Sequence, residues 1–182
     1  HRVGVPLVGA YQGVMPWLVT LLCEVGLTPH VLRSDSGSLS RGEQLCYSFD
    51  ACAPIKIAHG VADAGIDKLL LPKLLSLAEA EGGGTTCPME QGLPEMVREA
   101  LKDRGRVVEV VCPPLSLDSG SVSVAEWPRL HAAIEALGGS MGVAISHEVA
   151  DEDRERVDAV RLLDGALWIA DAEKGGAALP AG

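Results

Sequence analysis

Five cysteines carry most of the chemistry open to this 182-residue chain. Cys23, Cys46, Cys52, Cys87 and Cys112 are odd in number and irregular in spacing. That pattern fits a reducing compartment with free or metal-bound thiols better than a disulfide framework. Two of the five stand at prolines that can open helices: Cys52 in Cys-Ala-Pro54 and Cys87 in Cys-Pro88. A helix amino end carries unsatisfied N–H groups and a partial positive charge. Both favour thiolate over thiol, and thiolate is the form that ligates metal. An anionic cluster gains from the same donors, as a phosphate would. Proline in the first turn forfeits little, because its missing N–H would have been unpaired there. The sequence has no C-x-x-C pair, which disfavours zinc. The ligands of iron–sulfur clusters can be far apart in sequence.

The elements that must position these thiols alternate between strand-like and helix-like runs. Residues 3–8, 29–32, 68–71 and 107–111 read as short buried strands, the third broken by Pro72 and the fourth cut by Pro113 and Pro114. Helices are expected to open at Pro16, Pro54 and Pro88 and to stop at Gly26, Gly65 and Gly105. A further helix is expected over residues 125–137. Residues 36–49 read as a loop with one turn of helix, 79–86 as a glycine-rich loop and 119–123 as a linker. Residues 151–168 read as an acidic–basic helix, with fraying beyond Asp171. This pattern predicts an α/β fold: an open, mostly parallel Rossmann-like sheet of about four strands with flanking helices. It forms a single domain over residues 1–172 with a flexible tail at 173–182. The start at His1 and the Gly/Ala-rich end suggest a fragment of a larger protein.

In βαβ units the carboxyl end of a strand and the amino end of the next helix share one sheet edge, where such folds bind ligands. Cys52, Cys87 and Cys112 should therefore collect at that edge, with Cys46 in the loop leading to Cys52. Cys23, in the last turn of the first helix, belongs to the opposite edge. A cysteine in a small domain is most often a buried, inert apolar residue. Cys23 and Cys46 are read that way. For Cys52, Cys87 and Cys112, position alone leaves packing and ligation both open.

Composition narrows the partners. Apolar residues make up 47% of the chain and aromatics only 3%, so aliphatic side chains must fill the core. A net charge of −10 repels polyphosphate backbones, so nucleic acid is not an expected partner. The apolar runs are short and interrupted, so no membrane association is expected. The sequence has no G-x-G-x-x-G and no phosphate-binding loop ending in Lys-Ser/Thr. His59 reads as lying on the polar side of its helix with Lys56 and Asp63. It is either a proton donor near Cys52 or a surface histidine paired with Asp63. His30, His131 and His147 receive no role.

The segment Cys52-Ala-Pro-Ile-Lys56-Ile-Ala-His59-Gly60 resembles a C-x-P-x-K-x-x-H-G signature of the uncharacterised domain found in large CoA-substrate-specific enzyme activases. Cys87-Pro-Met-Glu-Gln-Gly-Leu-Pro94 resembles a second motif there, Cys-Pro followed by Gly-x-Pro. Val3-Gly-Val-Pro6 and Gly65-Ile-Asp-Lys-Leu-Leu-Leu-Pro72 add to the likeness, which runs from about Val3 to Val97 and weakens beyond Val107. The family is related to the activators of 2-hydroxyacyl-CoA dehydratases and benzoyl-CoA reductase. The resemblance implies a large cytoplasmic protein and an iron–sulfur cluster, of the 4Fe-4S kind, that passes one electron at a time. It implies Cys52 and Cys87 as ligands, His59 as a catalytic neighbour of the cluster and Lys56 as a cofactor-binding cation. Three cysteine ligands are usual in the related subunits, and Cys112 is the third candidate on position alone. Ala53 stands where an aromatic residue is common in the family. The partners implied are an ATPase domain, a dehydratase-like domain and a CoA thioester, with ATP bound only by domains outside this chain. The alternative is a scaffold domain of the same large protein whose cysteines carry no metal.

Overall fold

A computed structural model describes residues 2–79, 82–117, 122, 126–139, 157–163 and 166–171. Its centre is a four-stranded, all-parallel sheet in the order β2-β1-β3-β6. The strands are β1 (Arg2–Pro6), β2 (Thr28–Leu32), β3 (Lys68–Leu70) and β6 (Glu109–Val111). Between β1 and β2 runs α1 (Tyr11–Glu24), and between β2 and β3 run α2 (Ser38–Leu45) and α3 (Ala53–Ala62). Helix α4 (Pro88–Asp103) leads into β6. Right-handed crossovers put α1 on one face of this sheet and α3 and α4 together on the other, where α3 and α4 touch. The core is aliphatic, as the composition requires: Val3, Val5, Leu18, Leu22, Leu69 and Leu70 are fully buried. Each such side chain contributes about 1.5–3 kcal/mol.

Strands β3 and β6 end before Pro72 and Pro113, as expected, but the chain does not pass into loop there. Beyond Pro72 the chain continues as β4 (Lys73–Glu79), and beyond Pro113 as β7 (Pro114–Leu117). They pair in parallel, and β5 (Gly82–Thr85) adds antiparallel to β4. Pairing runs through the joint, with Leu71 N–H donating to Val111 O (2.9 Å) and Lys73 N–H to Pro113 O (2.9 Å). Alternate residues face a given neighbour in a parallel ladder, so Pro72 withholds no donor from this one. The glycine-rich segment expected to be a loop thus contains β5, while residues 80–81 lie outside the described ones.

Two helices also differ from expectation. Helix α1 begins five residues before Pro16, which sits inside it. Tyr11, Val14, Met15 and Leu18 form a buried face that starts upstream of the proline, and an early proline removes only one intrahelical bond. Residues expected to be mostly loop form α2. The reason is Gly42 and Gly60: a Cβ on Gly42 would overlap the Lys56 carbonyl, and one on Gly60 the Ser38 carbonyl. Helices α2 and α3 therefore cross backbone to backbone, and the small residues that read as flexibility are the packing surface.

After β7, helix α5 (Trp127–Leu137) ends at Gly138, whose φ of 88° makes a left-handed cap. Lys68 Nζ donates to the Ala136 and Leu137 carbonyls (3.1 and 3.2 Å) at that end. Where a helix is expected over 151–168, the described residues form strands, and 151–156 and 164–165 lie outside the described ones. Strands β8 (Val157–Leu163) and β9 (Ala166–Asp171) pair antiparallel, with Leu163 opposite Ala166. The overlooked signal is Asp164-Gly165 between two apolar runs, a residue pair favoured in two-residue hairpin connections. The linker expected at 119–123 lies outside the described residues except for Val122, and the 173–182 tail lies wholly outside them.

Candidate functional site: the carboxyl rim of the sheet

Helices α3 and α4 each precede a strand of the parallel sheet, so both begin at its carboxyl edge. Cys52 is the N-cap of α3 and Cys87 the N-cap of α4, each with proline in the first two helical positions. Both cysteines have extended ψ values, 159° and 133°, as a residue entering a helix requires. Both are free and exposed. The helix starts read from Pro54 and Pro88 are therefore where expected, and both sulfurs are open to solvent.

The other three thiols differ. Cys46 is the C-cap of α2, half-buried against the core, with its Sγ 3.7 Å from Ser48 O. Its reading as packing agrees with that position. Cys23 was expected to be packed but is exposed in the last turn of α1, because the α1 core face is formed by Leu18, Leu21 and Leu22. Cys112 lies in the joint between β6 and β7, half-buried, and accepts a hydrogen bond from Arg98 Nη1 at 3.6 Å. Among the described residues no three His, Cys, Asp or Glu side chains stand close enough together to hold a metal ion. Cys52, Cys87 and Cys112 are thus not a preassembled ligand set.

His59 does not lie on a polar surface. It is 1% exposed, because α3 is enclosed by the sheet, α2 and α4. Its Nδ1 lies 2.8 Å from Ile55 O. A carbonyl only accepts, so Nδ1 carries the proton and Nε2 is a bare acceptor, buried without a partner among the described residues. Burial pushes its pKa below the ordinary value, partly opposed by the Ile55 bond. Asp63 pairs instead with Arg106 (3.4 Å). Lys56 is mostly buried, 3.8 Å from Glu43 Oε1, with its ammonium 5.8 Å from the centre of the Phe49 ring.

Around Cys87 the structure adds residues that no spacing rule marked. Glu90, in the first turn of α4, reaches to the β1–α1 loop, where its Oε1 accepts the Ala10 N–H at 2.8 Å. Ala10 is the N-cap of α1 and supplies no side-chain cap. Gly9 (φ +52°) leaves room for that carboxylate, which a Cβ would strike. This is the position where a Rossmann-like sheet usually takes a ligand phosphate, and here a side chain of the chain itself occupies it. Nearby, the buried Tyr11 hydroxyl donates to Pro72 O (2.7 Å). Burial first, then the negative charge of Glu90, pushes the phenol pKa upward. Lys73 pairs with Glu95 at 2.6 Å. On the far side of Cys87, Gln91 Nε2 donates to Thr86 O (3.1 Å), and the Thr86 hydroxyl donates to Leu74 O. The Cys-x-x-Glu spacing of residues 87–90 resembles a capping box, which could have pointed to Glu90. Its reach across to α1 is a tertiary contact with no local signature.

No helix among the described residues is long and apolar enough to cross a membrane. Neither a curated protein nor a solved structure matches the chain. A family model does, over residues 2–153, well beyond the segment that carried the resemblance. The chain therefore belongs to the family described as the CoA enzyme activase uncharacterised domain.

Proposed function

We propose that this chain is the thiol-presenting domain of a CoA enzyme activase of the 2-hydroxyacyl-CoA dehydratase type. In this reading Cys52 and Cys87 supply two ligands to an iron–sulfur centre, and the remaining ligands come from outside the described residues. The observation that carries it is the pair of exposed cysteines, each an N-cap before a proline-opened helix at one sheet edge. Helix amino ends suit an anionic sulfur site. No three donors assemble among the described residues, so two ligands are all that this rim is assigned. Cys112 is engaged by Arg98, and it would have to give up that bond to serve as third ligand. When bound, a cluster would supply one-electron transfer at low potential. The chain's own part is to hold two sulfurs open to solvent with their helices fixed behind them. His59, neutral and enclosed, supports α3 rather than exchanging protons with solvent. Lys56, held by Glu43 and Phe49, gives the rim one positive charge. ATP hydrolysis and the CoA ester belong to partner domains in this reading, in a cytoplasmic protein.

A second reading keeps the family and drops the metal: a scaffold between activase and dehydratase modules. That no group of three donors stands together among the described residues favours it. Anaerobic purification followed by iron and sulfide analysis separates the two. Stoichiometric iron and sulfide with visible absorbance, lost in Cys52→Ala and in Cys87→Ala, supports the cluster. A colourless, iron-free protein made without oxygen supports the scaffold.

A further inference from the structure

The amino end of α1 is capped in trans. Helix α1 has 14 residues, no side-chain cap of its own and no acidic residue in its first turn. The N–H groups of Tyr11, Gln12 and Gly13 turn back onto Val8, Gly9 and Ala10 carbonyls. The Ala10 N–H goes to Glu90 Oε1. A carboxylate there answers both an unpaired donor and the positive end of the helix. Glu90 is also the third residue of α4, and its own N–H donates to Cys87 O at 2.9 Å. One residue therefore joins the β1–α1 loop to the turn that presents Cys87. Gly9 makes the fit specific, since any side chain at that position would meet the carboxylate.

We propose that Glu90 is the positioning residue for Cys87: its carboxylate fills the anion position of the sheet and clamps the first turn of α4 to α1. The ligand crevice of this fold has thereby become a structural fastening for a thiol. At Cys52 the side-chain tie is longer, the 3.8 Å pair of Lys56 in the first turn of α3 with Glu43 of α2. The N-cap of α3 is tied by a bond within its own helix, Lys56 N–H to Cys52 O (3.1 Å). Glu90 acts on the thiol through backbone geometry, so its effect should be selective for Cys87. The importance of the clamp rests on the cluster reading, but its existence does not, and it is testable on metal-free protein.

The test compares Glu90→Ala, which removes the acceptor, with Glu90→Gln, which keeps an amide oxygen at the same reach. Alkylation of Cys87 and Cys52 by a neutral reagent is followed peptide by peptide, together with hydrogen exchange at the Ala10 amide. In Glu90→Ala, Cys87 should alkylate severalfold faster, Cys52 should hold the wild-type rate and the Ala10 amide should exchange faster. Glu90→Gln should restore all three towards wild type. If Glu90→Ala does not fold, Glu90→Asp, which shortens the reach by one methylene, should show the same selective rise. Unchanged Cys87 reactivity despite faster Ala10 exchange would overturn the clamp. An equal rise at both cysteines, the mark of general loosening, would do so too. Absence of iron in wild type would sink the cluster and leave this result untouched.

Discussion

Cys52 and Cys87 share one local design and differ in what surrounds it. Each is an N-cap followed by proline. Cys87 is tied by Glu90 to the β1–α1 loop and by Gln91 and Thr86 to β4. Cys52 follows a stretch in which Tyr47 is 62% and Phe49 91% exposed. Tyr47 holds Asp103 of α4 at 2.5 Å, and Phe49 has Lys56 over its ring. Behind Cys52, α3 is locked to α2 through Gly42 and Gly60. The same residue pattern thus gives a clamped thiol at one helix and a thiol on a fixed helix with an exposed approach at the other. A centre shared with another domain could use both: one sulfur that sets position and one that adapts.

The heaviest blow to this contrast is Gly60→Ala, because the added methyl would strike backbone rather than a movable side chain. Overpacking of that kind should cost about 3 kcal/mol. Urea unfolding would measure it, and alkylation in the folded fraction should rise at Cys52 more than at Cys87. Glu90→Ala comes next. Loss of a helix cap should lower stability by about 1 kcal/mol, with Glu90→Gln losing less, and here Cys87 should respond. If both variants loosened both thiols alike, the two rims would be one mechanical unit and the contrast would fail.

His59 gives a pH-dependent test of the shared support. Its folded pKa lies below its ordinary value of 6.5, so the unfolded chain binds a proton that the buried ring resists. Stability should therefore be held above pH 6.5 and fall as the pH drops through the lowered folded value. His59→Gln should flatten that part of a thermal-unfolding profile measured between pH 4.5 and 8, and an identical slope in variant and wild type would show that another group titrates. The smallest effect is expected at Phe49. Substitution to Ser should change stability by no more than about 0.5 kcal/mol, because the ring is almost wholly exposed; a larger loss in urea would mean that the approach to Cys52 is packed after all.

Much of this was legible in the sequence where one residue decides one feature. Pro54 and Pro88 marked helix starts, and with them the N-cap positions of two cysteines. Val3, Val5 and Leu69 to Leu71 marked buried strands. Features set by a partner elsewhere in the chain were hidden. That the chain resumes as paired strand beyond Pro72 and Pro113 was hidden, because which side of a strand lacks a donor is known only once its neighbour is placed. Gly42 reads as loop until α3 lies against it. His59 reads as polar because its enclosure depends on α2 and α4. The contacts of Glu90 to Ala10 and of Arg98 to Cys112 span 80 and 14 residues, beyond any local rule. The pairing of β8 with β9 is a different case. Its Asp-Gly signal was present, and the charged residues before it suggested a helix instead.

If Cys52 and Cys87 serve one centre, as proposed, they must fail together. The most direct measurement is iron per chain after anaerobic reconstitution with iron and sulfide, in Cys52→Ala, Cys87→Ala, the double variant and Cys112→Ala. Residues acting as one unit are not additive. The account predicts that either single variant loses nearly all the iron, that the double loses no more, and that Cys112→Ala keeps the wild-type content. Full iron in the double variant, or two independent partial losses that add, would contradict it.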